Sequence, residues 1–141
     1  MILKRFSALV LLALALVWGA PLTAKDPRPG LFIRNGEAFI FRVEGGQPVD
    51  VRPAGKDDKP AQGELKAELV DKLGSTLTLT NQTAEQLNYE AYIAKDEFAK
   101  GSRTSVCTLI AGGSGYENWP ETLAGLRLTK FEPAGDSFGC R

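Results

Sequence analysis

Apolar and polar residues alternate with a period of two through residues 77–93, and this alternation constrains the fold more than any other stretch of the chain. Leu77 and Leu79 stand between Thr76, Thr78 and Thr80; beyond the polar run 81–86, Leu87, Tyr89, Ala91 and Ile93 alternate with Asn88, Glu90 and Tyr92. Successive side chains of a strand point to opposite faces, so the pattern describes two strands, each with one buried and one wet face. Threonine and tyrosine suit such a half-buried, pleated surface. Asn81 can hydrogen-bond backbone close to itself and open a turn, and the stretch therefore reads as a hairpin. Asn81-Gln82-Thr83 also fits the short, common acceptor pattern for N-glycosylation.

A second hairpin is expected around Asn35-Gly36, the dipeptide whose positive-φ preference suits a two-residue turn, with strands at 31–34 and 37–43. Phe39, Phe41 and Val43 share one face of the second strand and Ile40 lies on the other, so that strand is expected to be covered on each side or to sit beside the disulfide-closed segment. Gly45-Gly46 ends it. Residues 49–52 read as a short edge strand and residues 53–63 as a polar surface loop. Residues 64–73 fit helical spacing as well as alternation, but Gly74-Ser75 and the β-rich run 76–80 follow so closely that a strand is preferred at 64–70. Residues 94–103 read as a charged loop with room for one helical turn, 106–110 as a strand, 111–121 as a glycine-rich loop and 124–131 as the last strand. The expected fold is all-β: an antiparallel β-sandwich of immunoglobulin-like size, with about seven short strands and one C-terminal disulfide.

The run Thr76-Leu77-Thr78-Leu79-Thr80-Asn81, leading through a polar turn into Leu87-Asn88-Tyr89, resembles the adjacent-strand pattern of small Ig-like domains in bacterial secreted and periplasmic proteins. That resemblance implies the same sandwich. It carries no catalytic motif and transfers no functional residue. The spacing of cysteines around a core tryptophan that marks antibody domains is missing.

Lys4 and Arg5, the apolar run 8–17 and Leu22-Thr23-Ala24 have the layout of a secretory signal. The run is shorter than the ~20 residues a membrane-spanning helix needs. Residues 1–24 are thus expected to be a cleaved signal peptide, 25–30 a proline-rich linker and 31–141 a single domain in the periplasm or outside the cell. No cysteine lies near the expected cut to carry a lipid. Cys107 and Cys140 form an even pair in a short, secreted chain, which predicts one disulfide. Closing a loop of that size is worth about 3–4 kcal/mol in the chain-entropy picture. A redox-active thiol would need a close Cys-x-x-Cys pair or a basic neighbour, and the sequence offers neither.

The chain contains 17 Lys and Arg against 17 Asp and Glu, and no histidine. A near-neutral surface lacks the clustered cations that hold nucleic acid. Mixed runs such as Lys56-Asp57-Asp58-Lys59 read as solvated loops. Without histidine, Ser-His-Asp and Cys-His catalysis are impossible, and the commonest nitrogen ligand of zinc is gone. No phosphate-loop, dinucleotide or calcium-loop motif occurs, and Gly112-Gly113-Ser114-Gly115 lacks the lysine of a phosphate loop. No cofactor or metal is therefore expected. Glu117 and Glu121 flank Trp119 and are the pair to test for carboxylate hydrolysis of a glycan, although solvated glutamates lack the raised pKa such chemistry needs. Tyr116 and Trp119 are the stronger candidates for binding, because large amphipathic rings lose little rotamer entropy in a contact. The alternative for Trp119 is an anchor folded into the core. The expected partner is a protein or glycan of the cell envelope, with strand pairing along 49–52 as a rival mode.

Overall fold

The computed structural model describes residues 26–141; the expected signal segment lies outside the described residues. Nine strands and no helix occur among them: β1 (Leu31–Ile33), β2 (Ala38–Glu44), β3 (Gln47–Pro53), β4 (Leu65–Asp71), β5 (Ser75–Asn81), β6 (Leu87–Ile93), β7 (Ser102–Thr104), β8 (Ser114–Trp119) and β9 (Leu126–Pro133). They form two antiparallel sheets, of order β1-β9-β6-β7 and β3-β2-β4-β5-β8. The inner positions of both sheets meet in one apolar core that includes Leu65, Leu69, Leu77 and Leu79 from one sheet and Leu87, Ala91, Leu126 and Leu128 from the other. Phe131 closes one end, its ring stacked on Tyr89 at 5.5 Å and tilted against Phe41 at 5.7 Å. The protein is an all-β sandwich, with nine strands where about seven were expected.

Residues 65–71 are strand, as preferred over helix. Their alternate apolar residues meet those of β5 across the ladder, Ala67 opposite Leu79 and Leu69 opposite Leu77, a partnership that helical spacing would break. Ile40, on the outer side of β2 between Arg52 and Lys66, is also buried, as its apolar character suggested.

Both expected hairpins are instead arches that cross between the sheets. At residues 34–37, Glu37 N–H donates to Arg34 O at 3.0 Å and Gly36 has φ of 86°, while Asn35 is not among the positive-φ residues. That is a type II geometry; the type I′ turn that closes a two-residue hairpin needs positive φ at both central residues, and type II splays the strands it joins. Gly36 N–H then bonds Leu69 O, and β1 and β2 part into different sheets. At the second arch, Asn81 is fully buried. Its Oδ1 accepts from Thr83 N–H and Thr83 Oγ1, and its Nδ2 donates to Glu85 O, so the turn it opens carries the chain over the core from β5 to β6. The amide that would carry a glycan at 81–83 is buried and donates one of its two hydrogens to Glu85 O.

Three further boundaries differ. Residues 106–110 make two isolated bridges, Leu87 to Leu109 and Cys107 to Cys140, in place of a strand. The charged segment after β6 ends in the short strand β7, with no helical turn. The glycine-rich segment contains β8, whose inner positions are Gly115, Glu117 and Trp119. Leu109 Cδ2 lies 2.9 Å from where a Cβ on Gly115 would stand, so the glycine lets a neighbouring leucine fill the core at that point. Cys107 and Cys140 are bonded, and Val106 and Arg141 exchange backbone hydrogen bonds beside them.

Candidate functional site

Strand β8 separates the four residues proposed from sequence. Trp119 is 8% exposed and belongs to the core; its Nε1–H donates to Thr104 Oγ1 at 2.8 Å, tying β8 to β7. It is an anchor of the fold, and no surface contact can be built on it. Tyr116, three residues earlier and of opposite parity, is 70% exposed. Glu117 points to the core side, where Oε1 accepts Cys107 N–H at 2.8 Å and holds the disulfide-bearing segment against β8. Glu121 lies past the end of β8 with an exposed side chain, and its backbone carbonyl accepts Ser75 N–H. The two carboxylates are thus not gathered around one cleft.

Tyr116 leads to a face that sequence reasoning did not single out. The outer positions of β5 and β8 pair as Thr76 with Asn118, Thr78 with Tyr116 and Thr80 with Ser114. Asn118 Nδ2 donates to Thr76 Oγ1 at 2.8 Å, and the Thr80 and Ser114 hydroxyls are 3.1 Å apart. The outer surface is therefore a patch of small hydroxyl and amide groups with one bare phenol ring on its edge strand.

On the other side of β5 this surface deepens into a cleft of about 730 Å³, floored by Lys66, Glu68, Thr78 and Thr80 and walled by residues 56–60. The wall is held by two side chains, Lys66 and Asp58. Lys66 Nζ donates to the carbonyls of Gly55, Lys56 and Asp58 at 2.8, 3.0 and 2.7 Å, so all three of its hydrogens are used and the ammonium is buried beneath the loop. Its nearest carboxylate, Glu68 Oε2, is 3.9 Å away. Asp58 Oδ2 accepts Gly55 N–H, closing the loop on itself. Arg52 grips Glu64 with two bonds of 2.6 and 3.1 Å, and Ala61 N–H donates to the same carboxylate. The Arg52 hydrogen bond, followed by the Ala61 amide, lowers the Glu64 carboxyl to about 2.

No family model, curated protein or solved structure matches this chain. The site is therefore read from its own geometry.

Among the described residues no three His, Cys, Asp or Glu side chains are grouped to share a metal ion, and no helix is long and apolar enough to cross a membrane. The cleft contains three lysines, 56, 59 and 66, and three carboxylates, Asp57, Asp58 and Glu68. Its charges balance, and the ammonium at its centre is already saturated by backbone. What remains to meet a ligand is the Lys56, Asp57 and Lys59 side chains of the wall, the Glu68 carboxylate, the Thr78 and Thr80 hydroxyls, the Gln82 amide and the neighbouring Tyr116 ring. Such groups can accept and donate hydrogen bonds and stack. The signal for this face was present in the sequence as the outer threonines of β5, but those residues also satisfy an ordinary solvated strand.

Proposed function

We propose that the protein is a non-catalytic binding module of the cell envelope, periplasmic or secreted, which engages its partner through the outer face of the five-stranded sheet. The observation that carries this reading is Tyr116, a large ring left bare on an edge strand directly beside a polar cleft. Exposed aromatic side chains next to convergent polar groups are the usual composition of a recognition surface. The signal-like segment 1–24 and the Cys107–Cys140 bond support the compartment, since disulfides persist where the environment is oxidising.

Strand pairing is the second reading, and one observation moves it from 49–52 to the opposite edge. Strand β3 carries Pro48, Pro53, Asp50 at φ of 51° and a register shift opposite Ile40 and Arg42, all devices that blunt an edge. Strand β8 forms the other edge and has neither proline nor a register shift in its ladder with β5.

The test is a titration of isotope-labelled protein with a soluble envelope fraction, followed by amide shifts. Perturbations clustered on Thr78, Thr80 and Tyr116, and lost in Tyr116→Ala, are expected. Perturbations confined to the four-stranded sheet would overturn the reading. Trp119→Ala serves as the contrast, because emptying a core site of that size should cost about 3–5 kcal/mol of stability, whereas Tyr116→Ala should stay within about 0.5 kcal/mol.

A further inference from the structure

We infer that the ligand of this face is an uncharged glycan chain, held in the cleft between β5 and the loop 56–60 with one sugar ring stacked on Tyr116. The inference rests on the proposed function above and names the ligand class for it.

Three properties of the cleft select that chemistry. The first is charge. Three lysines face three carboxylates, so the cleft presents no surplus charge to draw in a polyanion or a polycation. The second is the floor. Thr78 and Thr80 offer small hydroxyls that both donate and accept, and Glu68 offers an acceptor that can take two adjacent O–H donors in charge-assisted bonds. A vicinal diol supplies such a donor pair. An apolar protein surface would leave these groups unpaired and would be penalised for burying them. The third is the ring. Tyr116 stands in register with Thr78, so a chain lying over the β5 hydroxyls reaches it at the next position across the sheet. The C–H face of a sugar ring carries slight positive charge and packs on the electron-rich face of a phenol, while its equatorial hydroxyls stay free for the floor.

The rigidity of the site favours the same ligand. A weakly bound, hydroxyl-rich chain gains affinity when the groups it meets need no reordering. Here the wall is pinned by Lys66 and Asp58, and the floor is made by β4 and β5, two interior strands of the five-stranded sheet.

The experiment titrates the purified protein with cellohexaose, chitohexaose, maltohexaose and laminarihexaose, and separately with polygalacturonate and heparin, reading amide shifts and heats of binding. At least one neutral hexasaccharide should bind with a Kd on the order of 0.1–1 mM, shifting Glu68, Thr78, Thr80, Gln82 and Tyr116. Tyr116→Ala and Glu68→Gln should each weaken it by roughly tenfold, with the melting temperature unchanged. Tyr116→Phe, which keeps the stacking face, should retain most of the affinity. Failure of all four neutral chains overturns the glycan inference, as does binding that both Tyr116→Ala and Glu68→Gln leave intact. The two readings separate on the remaining arms. If the anionic polymers or an envelope protein shift the same residues while neutral chains do not, the ligand class is wrong and the binding face stands. If shifts from every probe fall elsewhere, both are wrong.

Discussion

The two outer faces of the sandwich are built from similar material and arranged differently. On the four-stranded sheet, Phe32, Arg127, Tyr92 and Arg103 stand side by side across β1, β9, β6 and β7. Each of the two aromatic rings there is covered: the Arg34 guanidinium lies 4.7 Å from the Phe32 centroid, and that of Arg127 lies 4.7 Å from Tyr92. Arg127 is itself buried and donates to the carbonyls of Ala99 and Lys100, and burial lowers its pKa. Glu90 collects Tyr92 O–H at 2.8 Å, Arg103 at 3.5 Å and Lys130 at 3.4 Å. That face spends its aromatics and charges on itself. On the five-stranded sheet the ring of Tyr116 is open, and while the Thr76 and Thr80 hydroxyls bond Asn118 and Ser114, Thr78 stands between Glu68 and Tyr116 across the ladders. A surface saturated by its own groups has little to offer a partner; one that leaves a ring and hydrogen-bonding groups unsaturated does.

The contrast can be broken most forcefully at Arg127. Arg127→Ala removes two charge-assisted bonds to the 99–100 turn and uncovers Tyr92, and should destabilise the fold by about 2–4 kcal/mol in urea denaturation. Binding at the opposite face should be unaffected in the fraction that remains folded. Lys66→Met comes next. It leaves three carbonyls of the 55–58 loop without their donor, which should cost about 1–3 kcal/mol and open the loop to limited proteolysis while β4 stays protected.

Acid should act on both faces through lowered carboxyls. Glu64, at about 2 against 4.5 for its ordinary value, and Glu90, lowered chiefly by the Tyr92 hydroxyl, bind protons more readily in the unfolded chain than in the folded one. Their contribution is fully present above about pH 4.5 and is lost as pH falls through the folded values. Urea midpoints measured from about pH 5 down to 2 should therefore decline. Glu64→Gln and Glu90→Gln should each flatten part of that decline, and an unchanged profile in both would remove these carboxyls from the account. The smallest effect is expected at Thr78→Val, which keeps the shape of β5 and should leave stability within about 0.5 kcal/mol. Affinity for a neutral hexasaccharide should nonetheless fall, which would sharpen the distinction between a supporting face and a recognising one.

Strand positions were legible wherever an apolar side chain marked every second residue, as in β4, β5 and β6. They were hidden in β8, where Gly115 and Glu117 occupy inner positions and Leu109 supplies the missing bulk from elsewhere in the chain. Sheet membership was not legible at either arch. An Asn-Gly dipeptide and a polar run look alike whether they close a hairpin or cross a core, because the choice depends on the φ of Asn35 and on where Asn81 finds its partners. Of the candidate site, Tyr116 was visible as an aromatic in a turn-rich segment. Trp119 was inseparable from it until the parity of β8 placed one ring out and the other in. The buried ammonium of Lys66 had no signal at all, since an outward lysine in an alternating strand is ordinarily wet, and only the loop folded over it makes it a pin.

The place of β9 within its sheet has a consequence for how the molecule is made. Strand β1 has β9 as its sole ladder partner among the described residues, with Leu31 opposite Leu128, and β6 lies on the far side of β9. Neither β1 nor β6 can complete its ladder until nearly the whole domain has been delivered, however early it emerges. Contacts so distant along the chain slow folding, and sheet edges left waiting are prone to stick to one another. A chain with this order of strands can close its four-stranded sheet only once residues 126–133 are available.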